Sequence, residues 1–84
     1  MARTSPSAVY PMFPEDAAAV TPSDSVDLSN YSVIFVGGPG NVKVTTAQGT
    51  QVTFSGVQSG GVLPVRVRRV WATGTTATLM TAVF

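Results

Sequence analysis

Eighty-four residues without a cysteine or a histidine make one domain at most, exclude disulfide stapling and leave no ordinary zinc site, so association with other subunits is the remaining common source of stability. Val and Thr supply 25 residues and Leu only three, which points to β structure throughout, because β-branched side chains lose freedom in helices and pack well on a pleated surface. The formal net charge is +1, but all four acids precede Tyr31 and every base after it stands without an acid: the first 30 residues carry −3 (Arg3 against Glu15, Asp16, Asp24 and Asp27) and the remainder +4 (Lys43, Arg66, Arg68 and Arg69).

Residues 1–15 read as an extended docking arm. Pro6, Pro11 and Pro14 remove backbone donors and bias their predecessors toward extended conformations. Val9, Tyr10, Met12 and Phe13 lie inside this arm, more apolar bulk than a solvated tail carries. Either these side chains dock on a partner, the preferred reading, or they pack back on their own domain. The N-terminus has no apolar core of a signal peptide and no run of 18 apolar residues occurs anywhere, so the expectation is a soluble protein made inside the cell, with no membrane partner.

Residues 16–84 read as a single small β-domain. Thr21 and Asp24 have the spacing of a capping box, but no amphipathic helix follows; Pro22 and the alternation Ser25-Val26-Asp27-Leu28 predict a turn leading into a short strand. Asp24 and Asp27 lack the ligand spacing of a calcium loop and are expected to stabilise turns. Tyr31–Val36 is an almost unbroken apolar run, which predicts a strand covered on both sides. The cluster Gly37-Gly38-Pro39-Gly40-Asn41 matches neither phosphate-binding glycine pattern and precedes a strand, so it predicts a hairpin loop. Val42 and Val44 then face one way and Lys43 and Thr45 the other. Ala47-Gln48-Gly49 turns the chain into Thr50–Ser55 with Val52 and Phe54 inward, and a turn over residues 56–61 follows.

The longest strand-like stretch is Val62–Phe84, expected as two strands joined at Gly74. Leu63, Val65 and Val67 alternate with Pro64, Arg66 and Arg68, which gives an apolar face and a guanidinium face. Val70 has the wrong parity for that apolar face, and a bulge at Arg68-Arg69 would restore it. Pro64 belongs at a sheet edge or where no ladder donor is needed. Phe84, beside the terminal carboxylate, predicts an end pinned into a sheet or an interface.

The blocks Ala17–Leu28 (AAAVTPSDSVDL), Gly40–Val44 (GNVKV), Gln51–Val57 (QVTFSGV) and Val62–Thr76 (VLPVRVRRVWATGTT) resemble the spike base proteins on the heads of gene transfer agents and tailed bacteriophages. The resemblance spans roughly Asp16–Phe84 and leaves the arm outside; its most specific pieces are AVTPSD, LPVRVRRV and ATGTT. It implies a small antiparallel β-barrel or β-sandwich of about five to seven short strands, assembled as a homotrimer or homopentamer on the outer surface of a capsid. Its expected partners are the major capsid protein, other copies of itself and a head fibre protein. The family carries no catalytic residues to transfer.

The residues themselves offer little chemistry. Ser and Lys occur, but no nucleophile–base pair is recognisable, so no enzymatic activity and no cofactor are expected. The Arg66–Arg69 run fits a basic processing-protease site, which a strand cannot present without unfolding. With Lys43 and Trp71 the same arginines could form a basic, aromatic face for single-stranded nucleic acid; pairing with Asp24, Asp27 or an acidic capsid surface is the preferred use. The expected function is therefore a capsid decoration (cement) or spike base protein, with a small barrel binding nucleic acid or glycan as the alternative. The candidate interface residues are Val9, Tyr10, Met12, Phe13, Asp24, Asp27, Arg66, Arg68, Arg69, Trp71 and Phe84.

Overall fold

The computed structural model describes residues 14–84, so the expectations on Val9, Tyr10, Met12 and Phe13 lie outside the described residues. Seven strands form: β1 (Ala17–Ala19), β2 (Val33–Gly38), β3 (Gly40–Thr46), β4 (Gln51–Val57), β5 (Gly61–Val62), β6 (Val67–Val70) and β7 (Thr78–Val83). They make two antiparallel sheets, one of four strands in the order β1-β7-β2-β5 and one of three in the order β4-β3-β6. The all-β expectation holds, in its sandwich form.

Alternation places the core. Ile34 and Val36 of β2 with Met80 and Ala82 of β7 point inward from the larger sheet, and Val42, Val44, Val67 and Val70 meet them from the smaller one. Leu63 and Ala77, both outside the strands, complete the cluster. Such interdigitated inner faces are what hold two sheets together.

The expected bulge is present. Val70 pairs with Val44 and Arg69 with Thr45, but the next residue of β3, Thr46, pairs with Val67. Arg68 is therefore the extra residue, and Val67 and Val70 both reach the core. The Ala47-Gln48-Gly49 turn also stands, closed by the Gly49 N–H to the Thr46 carbonyl at 2.9 Å. Phe84 is pinned as expected: its N–H donates to the Asp16 carbonyl (2.9 Å) and its carbonyl accepts from Glu15 and Asp16 (2.8 and 2.9 Å).

Other expectations are corrected. Gly37–Asn41 is not a hairpin loop, because β2 and β3, separated only by Pro39, belong to different sheets. It is a corner, and the glycines serve the loop that crosses it. Asn41 accepts the N–H groups of Thr76 and Ala77 on its carbonyl (2.8 and 3.1 Å) and donates its own to the Thr76 hydroxyl (2.8 Å). Gly40 has φ +154°, and a Cβ there would stand 2.6 Å from the Ala77 nitrogen.

The stretch from Val62 to Val70 is likewise not one strand. β5 pairs with β2 in the larger sheet and β6 with β3 in the smaller, so Leu63–Arg66 is a crossing between layers. Pro64, with no N–H to give a ladder, lies in that crossing. Ser25–Leu28 forms no strand; its backbone serves as an edge cover, described below. Tyr31–Val36 is covered on one side only, since Phe35 remains exposed. Val52 is exposed and Phe54 half-buried, because β4 lies at a sheet edge, where the opposing sheet covers it poorly.

The corner yields a paired test. Gly40→Ala meets backbone atoms and a disfavoured φ together, and is expected to destabilise by roughly 2 kcal/mol or more. Gly56→Ala, with φ +68° but nothing within 4 Å of its Cβ, should cost about 1 kcal/mol. Urea midpoints of the two variants check the order.

Candidate functional site

Two surfaces stand out, a polar latch on the smaller sheet and an apolar face on the larger. The latch begins with the segment between β1 and β2, which runs along the open edge of β6. Ser23 donates its N–H to the Val70 carbonyl (2.9 Å) and Leu28 to that of Arg68 (2.7 Å). That covering relieves β6 of an unpaired edge. The Ser23 hydroxyl accepts the N–H groups of Ser25 and Val26 (3.2 and 3.1 Å), a local turn that draws this backbone away from strand pairing.

This path brings Asp24 and Asp27 to the residues after β6. One Asp24 oxygen accepts the N–H groups of Ala72 (3.0 Å) and Thr73 (2.9 Å), and the other accepts the Thr73 hydroxyl at 2.6 Å. The Thr73 hydroxyl, and after it the Thr73 N–H, hold this carboxyl below its ordinary value, with smaller help from the Ala72 N–H and the Lys43 charge and against a partial desolvation. Arg69 donates from Nε to Asp27 Oδ1 at 2.7 Å and from Nη1 to the Asp24 carbonyl at 3.2 Å. Both acids thus act as turn and loop ties, as their spacing implied, and Asp27–Arg69 joins the acidic and basic halves within one chain.

Trp71 completes the latch. Its indole N–H donates to the hydroxyl of buried Thr45 at 2.9 Å. Lys43 Nζ and the Arg69 guanidinium lie over its ring, 4.7 and 5.2 Å from the centroid. Each such contact is worth about 0.5–1 kcal/mol at an exposed site. A nucleic-acid base seeking this ring would have to displace those cations. The other two arginines leave the cluster: Arg66 donates to the Tyr31 carbonyl at 3.0 Å and Arg68 lies against the Gly49 turn.

The second surface is the outer face of the four-stranded sheet. Register places Ala17, Val83 and Val33 in one row and Ala19, Thr81, Phe35 and Val62 in the next. Leu79 follows across from Gly37, where a Cβ would stand 3.0 Å from the Leu79 Cβ. No charged residue occurs in these rows, and Phe35, Val62 and Leu79 are 40, 55 and 79% exposed. Phe84 lies at the end of this sheet, packed against the core. Phe35, Val62 and Leu79 were absent from the sequence-derived candidates. The signal was the almost unbroken apolar run at Tyr31–Val36, which meant two apolar faces, of which one finds no cover among the described residues.

The latch has a pH signature. A carboxyl held below its ordinary value of 3.8 contributes stability that is present above that pH and lost as pH falls through the lower folded-state value. Asp24→Asn should therefore melt below the wild type at neutral pH, with a gap that closes on acidification below pH 3.8. Thermal melts of both proteins across that range check it; a gap independent of pH would assign the loss to shape alone.

No protein-family model matches the chain, and no curated protein does. Among solved structures, it is similar to a chain of the capsid of a native gene transfer agent (GTA) particle, computed with C5 symmetry. The two are 36% identical, the match covers 84% of this chain and 83% of that one, and the TM-score is 0.74. Fold and sequence agree across most of both chains, and the protein belongs to the family of this gene transfer agent capsid component.

Proposed function

We propose that the protein is a non-enzymatic structural component of a phage-like particle, seated on the outer surface of the capsid as a decoration or as the base of a head spike. The observation that carries this reading is the 36% identity, over 84% of the chain, to a component of a gene transfer agent capsid. The surface chemistry agrees with it. The polar groups of the latch are engaged with one another, while the four-stranded sheet presents apolar side chains to solvent. Such a face suits attachment better than turnover.

The partners are the major capsid protein and further copies of this chain, as a trimer or pentamer, with a head fibre protein carried on top. Repetition matters energetically, because several linked copies convert modest single contacts into avidity that can exceed each by 10²- to 10⁴-fold. Closed symmetry also satisfies every copy alike.

Deleting the gene and imaging the particles by electron microscopy tests the reading. Wild-type particles should carry this chain and show surface density of the size of the β-domain, at vertices or local threefold positions, which vanishes in the deletion. Absence of the chain from purified particles, or density confined to the interior, would overturn the proposal. A nucleic-acid module would instead be absent from the particle surface and would lose its binding on Arg66→Ala combined with Arg68→Ala.

A further inference from the structure

Among the described residues, the outer face of the four-stranded sheet is uncharged and uncovered, and the sequence supplies a segment of matching character. Between Arg3 and Glu15 there is no charged residue, and Val9, Tyr10, Met12 and Phe13 fall within five consecutive positions. The described chain begins at the rim of this face: Pro14, Glu15 and Asp16 line a shallow hollow with Ala17 and Val83. Leu79 adds a second indication. Its φ of 53° is left-handed, a conformation that costs a bulky residue about 1–2 kcal/mol, and its side chain is almost wholly exposed. A strained backbone that displays an apolar side chain does nothing for an isolated domain.

We propose that this face is the seat of residues 9–13 of a neighbouring copy of the chain, an inference that rests on the multi-copy assembly proposed above. Five extended residues span about 16 Å, and the three strand spacings from β1 to β5 about 14 Å, so one segment crosses the whole face. The exchange is between copies because Phe13 adjoins Pro14. Proline biases the residue before it toward an extended conformation, which favours a chain that runs on past the rim over one that folds back across its own Ala17 and Val83. Tyr10 precedes Pro11 under the same constraint. The contact is apolar on both sides, and raised salt should leave it intact.

The test uses the full chain, purified without particles, carrying the photoreactive residue benzoylphenylalanine in place of Val62. On illumination the proposal expects a product of dimer mass on a denaturing gel, with the cross-link mapped by mass spectrometry to residues 9–13. Combining Tyr10→Ser with Phe13→Ser should lower its yield at least roughly tenfold, since two aromatic side chains lose their burial. Any of three results overturns the proposal: a product of monomer mass joined to residues 9–13, a dimer joined through the same face of both copies, or no cross-link. Particle co-sedimentation of the same proteins keeps the two proposals separable. Retained co-sedimentation without the cross-link sinks the arm exchange alone, and the cross-link without co-sedimentation sinks the capsid role alone.

Discussion

The structure depends on one constraint: a domain of this size encloses a single interior, and both sheets must spend one face on it. Ile34, Val36, Met80 and Ala82 meet Val42, Val44, Val67 and Val70 there, with Leu63 filling from the crossing. Every strand is therefore forced to alternate between that interior and whatever lies outside. To keep both layers on one core, the chain changes sheets at Pro39, between β4 and β5, at Leu63–Arg66 and again between β6 and β7. Each change is made where the backbone can turn without a ladder partner, at proline or glycine.

The latch follows from that wrapping. When β6 and β7 separate into different sheets, the residues between them must cross the end of the sandwich, and their backbone donors need acceptors. Asp24 accepts two of those donors and the Thr73 hydroxyl, while Ser23 and Leu28 donate along the edge of β6. Arg69 and Trp71 sit where these paths meet, which is why residues far apart in sequence share one cluster. Its ion pair is partly exposed and contributes little by itself. Its value lies in fixing one path among several for a long polar segment.

The larger sheet shows the other consequence of having a single interior. Its outer face carries Val33, Phe35, Val62, Leu79 and Val83, side chains of the type found in cores. On a chain that works alone such a surface would invite aggregation. One solved structure of this family is part of a capsid, and the assembly proposed above would cover such a surface. On the smaller sheet, by contrast, Trp71 bonds the buried Thr45 hydroxyl and is flanked by Lys43 and Arg69.

Local patterning by itself determined the all-β class, the inward residues of β3, the turn at Ala47–Gly49 and the bulge at Arg68, whose mark was a parity conflict between Val67 and Val70. Each is written within a few consecutive residues. The tertiary structure alone decided which sheet each strand joined. Gly37–Asn41 reads the same as a hairpin loop or as a corner, and Leu63–Arg66 alternates like a strand although it crosses between layers, because alternation records which side chains share a face and not which backbone lies beside it. The same limit hid the apolar surface: Phe35 looks buried from its neighbours in sequence, and it stays open because the described residues supply no third layer.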